Sequence, residues 1–295
     1  MAWGPPRTAG LPRVRRRARR LRRHSTQRSG ASPGPLASQL DAVVHSARVA
    51  LLQRTRPAPR AARGSLCHSA SVLVPDRYGA PMSILHGSPG SPFVRNVCVV
   101  LDEMGLEYAV DPVMPFGPNP EFRKVSPLGK IPALTDDGRS LPDSSVLCAY
   151  LERKYPERPI YPSDPREYGR ALWFEEFADS ALASVTGPKI FFQKVVSPMF
   201  FNRPADEAVV EKALTEELPP LLDYLESEAG DGTGFVGGRF SFADIAVATQ
   251  FVNFHHAGYA IDPKRWPKLA VLVDRTLARP SFAKCIEQER AIFTR

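Results

Sequence analysis

The sequence predicts a mixed α/β domain followed by an all-helical domain, behind a basic leader that builds no core. Three observations predict it. Between residues 82 and 162, strand-period and helix-period segments alternate in the order βαβ, then ββα. From residue 165 to residue 295 the strand signals stop, and apolar residues recur at helical spacing. The first 81 residues hold 16 arginines, no lysine, and only Asp41 and Asp76 as acids.

That leader carries +14 in a chain of net charge +8, so everything after it sums to −6. Three readings of residues 1–81 stand side by side. The run Arg13 to Arg23 suits a nucleic-acid arm. An Arg-rich, Ser-containing, acid-poor segment also suits an organelle transit peptide. The third reading has translation starting at Met82, directly before the first strand, and it is favoured because the rest of the chain mixes Lys with Arg. In each case the leader is expected to be disordered, with one short helix at most, over Val43 to Leu52. A nucleic-acid role would depend on this segment alone, so no nucleic-acid partner is expected. No run of about 18 apolar residues occurs, so no membrane span is expected. Cys67, Cys98, Cys148 and Cys285 form no C-x-x-C pair and have no metal-ligand spacing with histidine. Buried thiols in a reduced, cytoplasmic setting fit them, with no metal. His255 and His256 are adjacent and read as packing or surface residues.

Ser83 to Gly87 reads as a strand that breaks at Ser88-Pro89-Gly90. Ser91 at the N-cap and Pro92 behind it open a helix. Phe93, Val97, Val100, Leu101 and Met104 give that helix its core face, and Gly105 ends it. Leu106, Tyr108 and Val110 alternate with polar or small residues, the period of a strand. A Pro-rich loop from Pro112 to Pro120 leads to a short helix or turn at Glu121 to Val125.

The next stretch, Gly129 to Leu134, turns at Pro132 and enters a buried strand over Ala133 to Thr135. The residue before a proline is held extended, and an X-Pro bond at such a place is one of the few that can be cis. Pro132 donates nothing to a ladder, so the backbone of Ile131 is available to an extended ligand. Asp137-Gly138 supplies the positive φ of a tight hairpin, returning through Arg139 to Leu141. Pro142 to Ser145 then starts a helix striped by Val146, Leu147, Tyr150 and Leu151.

In the second half, Tyr168, Leu172, Phe177, Ala181 and Val185 mark a long helix that Gly187-Pro188 interrupts. Ile190, Phe191 and Phe192 form a further apolar patch. Val210 to Leu225 mark another helix, kinked or split at Pro219-Pro220. Ser241 with Asp244 reads as a capping box, flanked by a Phe240–Ile245 staple. The helix from Ile245 to Phe254 is apolar all round and so belongs inside a bundle. Pro263 to Leu277 and Ser281 to Ile292 complete the set.

Three loops approach one edge of the small sheet: Ser88–Ser91, Lys130–Pro132 and Asp143–Ser144. Ser91 sits at a helix N-terminus, where N–H groups and the dipole favour an anion. Lys130 suits a carboxylate, Asp143 an ammonium, and Ser144 a second carboxylate. A short peptide with one thiol, one amine and two carboxylates would satisfy all of them.

Four segments resemble the signatures of cytosolic glutathione S-transferases: Ser88-Pro89-Gly90-Ser91-Pro92-Phe93, Leu128-Gly129-Lys130-Ile131-Pro132, Leu141-Pro142-Asp143-Ser144, and Phe240-Ser241-Phe242-Ala243-Asp244. Everything after Met82 is covered, most closely the serine-type members of the bacterial, tau and zeta kinds. The resemblance implies a thioredoxin-like domain over 82–162, an electrophile-binding helical domain over 165–295, and a homodimer. It implies that Ser91 donates to the glutathione sulfur and that Ile131, before a cis Pro132, pairs with the cysteinyl backbone. Lys130 would then meet the glycyl carboxylate, with Asp143 and Ser144 at the γ-glutamyl end. Asp143 stands where the family usually has Glu. No tyrosine or cysteine occupies the first loop, which sets the chain apart from members that use a cysteine. Ser88 is the alternative hydroxyl. Phe93, Trp173, Phe174 and Phe177 are the candidates for the second-substrate site. The activity implied is transfer of glutathione to a small apolar electrophile. The alternatives are isomerase or dehalogenase chemistry on the same fold, or a non-catalytic binding or scaffold protein.

Overall fold

The computed structural model describes residues 83–114, 116–117 and 119–293. The expectations for the leader, including its short helix and Cys67, lie outside the described residues.

Strand β1 (Ser83–Gly87), helix α1 (Pro92–Glu103) and strand β2 (Tyr108–Pro112) form the first unit. Helix α2 (Phe122–Val125) follows, then β3 (Ala133–Asp136), β4 (Arg139–Pro142) and α3 (Ser144–Lys154). The sheet runs β2-β1-β3-β4. β1 is parallel to β2 and antiparallel to β3, and β3 is antiparallel to β4. This is the thioredoxin-like arrangement. Asp137 (φ 48°) and Gly138 (φ 72°) both adopt the left-handed region, as a two-residue hairpin with matching twist requires. His86 ties the strands together, its Nδ1 2.9 Å from Asp111 Oδ2 and its Nε2 2.7 Å from Thr135 Oγ1.

Two stripe assignments are corrected. Val110 is 45% exposed and Val146 is 48% exposed. β2 is an edge strand, so cover over it is incomplete. On α3 the buried face runs through Ser144, Leu147, Cys148 and Leu151. Val146 lies off that face.

The rest is helical. α4 (Pro165–Phe177) continues through π-helical turns at Ala178–Leu182, one α-turn at Ala183–Val185 and π-helical turns at Thr186–Val196 into α5 (Ser197–Phe201). The interruption expected at Gly187-Pro188 is therefore absent. Wider i→i+5 turns absorb the missing proline N–H and the ring's clash with the preceding turn. The face of α4 also differs: Ala171, Phe174 and Glu175 point inward, whereas Leu172 is 40% exposed. This helix carries apolar residues on two faces, and only one meets the bundle.

α6 (Glu207–Lys212) passes through a π segment at Ala213–Glu217 into α7 (Leu218–Glu228), with Pro219-Pro220 in the first turn of α7. The chain stays helical from Glu207 to Glu228, so the split expected there is absent, and the change from π to α turns falls directly before Pro219. α8 (Phe242–His256) is buried from Phe242 to Phe254 and forms the axis of the bundle. Asp244 holds its start: its carboxylate accepts the Ser241 N–H at 2.7 Å and the Phe235 N–H at 2.9 Å. α9 (Pro267–Leu277) and α10 (Pro280–Phe293) close the chain.

Candidate active site

The topology brings the three loops to one end of the sheet. β1 and β3 are antiparallel, and His86 pairs with Ala133, so the loop leaving β1 lies beside the loop entering β3. Ala133 pairs with Pro142, so the loop leaving β4 lies beside both. The Asp143 N–H donates to the Pro132 carbonyl at 3.1 Å and joins the last two loops directly.

In the first loop Ser91 is the N-cap of α1, half-buried, with its Oγ accepting the Val94 N–H at 3.4 Å. That bond uses an oxygen lone pair, not the hydroxyl proton. Ser88 differs. It is buried, and its hydroxyl donates to the Pro89 carbonyl at 3.3 Å and lies 3.6 Å from Met114 Sδ. Of the two serines, Ser91 is the one that keeps a hydroxyl proton to offer at an open helix end.

The loop is held from behind by the helical domain. Asn253 Nδ2 donates to the Gly90 carbonyl at 2.9 Å, and Thr249 Oγ1 to the Pro92 carbonyl at 3.2 Å. Arg95, in the first turn of α1, donates through Nη2 to Asn253 Oδ1 at 2.8 Å and through Nη1 to the Thr249 carbonyl at 2.8 Å. Its Nε and Nη2 fork onto Glu289 at 2.8 and 2.7 Å. His256 Nε2 lies 2.9 Å from the same carboxylate. Arg95 and Glu289 are both almost fully buried, and the neighbouring guanidinium and imidazole hold Glu289 below the usual carboxylate range against the effect of burial. This network has no local signal in the sequence, because Arg95 lies 154 to 194 positions from its partners.

In the second loop the Ile131–Pro132 bond is cis. The β1–β3 ladder ends at Ala133, which leaves Ile131 outside it. Lys130 is exposed and makes no ion pair among the described residues. In the third loop Asp143 sits at φ 82° and caps α3, its Oδ1 accepting the N–H groups of Ser145 and Val146 at 3.1 and 3.3 Å. Ser144 is buried at the first helical position. Ser91, Lys130, Ile131, Pro132, Asp143 and Ser144 are thus gathered at one sheet end.

Below the third loop, Glu175 and Asp179 turn toward Ser145 and Asp143. Glu175 is 5% exposed, and Glu175 Oε1 and Asp179 Oδ1 have no partner among the described residues. Burial, with the charges of Glu175, Asp143 and Glu176 adding to it, pushes Asp179 up to about 7. Among the described residues no group of three or more His, Cys, Asp or Glu is placed to hold a metal ion.

A family model for the glutathione S-transferase N-terminal domain matches residues 85–159, and one for the glutathione S-transferase C-terminal domain matches residues 207–275. The probable glutathione S-transferase GSTF2 of Oryza sativa subsp. japonica is 30% identical over 209 residues, which cover 70% of this chain and 95% of the rice protein. The chain belongs to the glutathione S-transferase family. A second relative, the uncharacterized GST-like protein YibF of Escherichia coli K12, is 30% identical over 207 residues, 68% of this chain and 96% of its own. A glutathione S-transferase from Methylobacterium radiotolerans, solved in complex with glutathione sulfonate, superposes with a TM-score of 0.58 at 27% identity, covering 70% of this chain and 94% of that one.

Phe93, Trp173, Phe174 and Phe177 are the sequence's candidates for a second-substrate site. Phe93 lies in the first turn of α1, half-buried beside Ser91. The other three are taken up elsewhere. Phe174 is fully buried, its ring centroid 4.7 Å from that of Phe235. Phe177 packs on Tyr224 at 5.0 Å, and Trp173 Nε1 donates to the Tyr224 hydroxyl at 2.5 Å. What faces the Ser88–Ser91 loop in this chain is a different aromatic set. The Phe293 ring lies so close to Gly90 that a Cβ there would fall 2.5 Å from it. Phe293 meets Phe191 edge-on at 5.5 Å, within a cluster that also takes in Phe116, Phe200 and Phe201. The only sequence signals for these residues are the apolar patch at Ile190–Phe192 and the phenylalanine inside the Pro-rich loop.

Proposed function

We propose that the protein is a glutathione transferase that activates the glutathione thiol for attack on a small apolar electrophile. The observation that carries this reading is Ser91, a half-buried N-cap whose hydroxyl proton is uncommitted, at the open end of α1 and at the same sheet end as Ile131 and Asp143. A free thiol has a pKa of about 8.5; a helix N-terminus and a hydroxyl donor lower it, and the thiolate is the nucleophile. In the proposed reaction the sulfur bonds to the electrophilic carbon, the leaving group departs with its electron pair, and the thiol proton goes to solvent. Ile131 would pair with the cysteinyl backbone, Lys130 would take the glycyl carboxylate, and Asp143 with Ser144 would hold the γ-glutamyl end.

The phenylalanines around Phe293 and Phe191 supply an apolar wall beside that sulfur position, which suits planar aromatic electrophiles. A homodimer is proposed through the exposed apolar face that α3 and α4 share, with Val146 and Leu172 on it. A cytoplasmic setting fits the free thiols Cys98, Cys148 and Cys285.

The test is calorimetric titration with glutathione, followed by turnover with a panel of aryl halides. Saturable binding with turnover is expected. Binding without turnover on any electrophile would leave the non-catalytic reading, and no binding at all would overturn the proposal.

A further inference from the structure

Cys98 and Cys285 face each other across the boundary between the two domains. Helices α1 and α10 run antiparallel, and three polar contacts give their register. Arg95 Nη2 lies 2.7 Å from Glu289 Oε2, Lys284 Nζ 2.6 Å from Asp102 Oδ1, and Ser281 Oγ 2.5 Å from Glu103 Oε1. Cys98 stands one turn beyond Arg95 and one turn before Asp102, on the same stripe of α1. Cys285 stands one turn from Glu289 and one turn from Ser281 on α10. The register therefore sets the two cysteines on facing stripes, and Cys98 packs against the buried cluster that contains Cys285. Both are free cysteines; Cys98 is half-buried and Cys285 is buried.

The two thiols are not equivalent. The facing Cys285 thiol, with the Tyr108 hydroxyl, holds Cys98 below the usual thiol range, although burial and the carboxylates of Asp102 and Glu289 oppose this. The neighbouring Cys98 and burial push Cys285 up. The thiolate is the form that peroxides attack, so the pair divides into a nucleophile and a resolving partner. Cys148 is fully buried, and burial pushes its thiol well above the usual value.

We propose that Cys98 and Cys285 are a redox-active pair that closes to an interdomain disulfide when a hydroperoxide is present. The Cys98 thiolate attacks the peroxide, the O–O bond breaks, and Cys98 becomes a sulfenic acid while the peroxide leaves as an alcohol or water. The Cys285 sulfur then attacks the sulfenic sulfur. The S–S bond forms, the S–O bond breaks, and the Cys285 proton leaves with the hydroxide as water. Two thiols lose two electrons and one peroxide gains them. The cross-link ties the helix that opens at Ser91 to the helix that ends with Phe293 against Gly90. It is independent of the transferase reading.

The experiment treats the full-length protein with hydrogen peroxide at low molar excess, then denatures, alkylates and digests it without reduction. The expected product is one peptide pair joining Cys98 to Cys285, reversed by dithiothreitol, with free thiols falling from four to two per chain. The Cys98→Ser and Cys285→Ser variants lose that pair, and Cys148→Ser keeps it. The proposal is overturned if Cys98 and Cys285 both remain alkylatable, if Cys98 goes to the sulfinic acid without a link, or if it joins Cys67 or a second chain instead.

Discussion

The side-chain amide of Asn253, deep in the helical domain, donates to the carbonyl oxygen of Gly90 at 2.9 Å, one residue before the N-cap Ser91. The same side chain accepts from Arg95 at 2.8 Å. One residue of the bundle thus holds both the loop and the helix that the loop opens. Asn253→Ala leaves the Gly90 carbonyl and one guanidinium N–H without these partners in a buried place. The expected loss of stability is about 1–3 kcal/mol, read as a lower urea midpoint at unchanged m-value. A midpoint within error of wild type would show that water replaces the amide at no cost.

Ser91→Ala removes the hydroxyl but leaves the helix N-terminus in place. The apparent thiol pKa in the pH–rate profile is expected to rise toward about 8.5, with the rate at pH 7 falling about tenfold or more. Ser88→Ala is expected to stay near wild type, since that hydroxyl is spent on Pro89 and Met114. The opposite pattern would move the donor role to Ser88.

Asp179 makes stability depend on pH in a stated direction. Its folded pKa, about 7, lies above the usual 3.8, chiefly because it is buried. The folded protein therefore holds this proton more tightly than the unfolded chain does. The stabilising contribution is fully present below about pH 4 and is lost as pH rises to about 7. Asp179→Asn removes the penalty for a buried charge, so it is expected to stabilise the protein at pH 8 by about 1–3 kcal/mol and to change little at pH 4.5. Thermal melts at the two pH values read this directly. Equal shifts at both would assign the effect to packing.

Leu172 and Val146 are apolar side chains exposed on neighbouring helices. If that face joins two copies, Leu172→Glu buries a charge in the interface and shifts the protein to monomer in light scattering at micromolar concentration. A dimer that survives the substitution would place the interface elsewhere.

Much of the candidate site is legible in the sequence. Ser91, Ile131, Pro132, Asp143 and Ser144 all stand at element boundaries, where serine and aspartate caps and a proline give local signals that do not depend on the rest of the chain. The hairpin at Asp137-Gly138 and the carboxylate of Asp244 at the start of α8 were legible for the same reason. The aromatic wall was not. Phe174 and Phe177 have helical spacing as good as that of Phe191, yet they pack on Phe235 and Tyr224, while Phe191 meets Phe293.

By itself, then, the sequence determined the order of strands and helices and the caps and turns that bound them. Each of these depends on neighbours within about four residues. Only the tertiary structure decided that three loops meet at one sheet end, which face of α4 is buried, that the chain stays helical through Gly187-Pro188, that Arg95 pairs with Glu289, and that Cys98 faces Cys285. Periodicity marks an apolar stripe on a helix, but the stripe's partner is set by packing between segments far apart in the chain, and burial is a property of that packing.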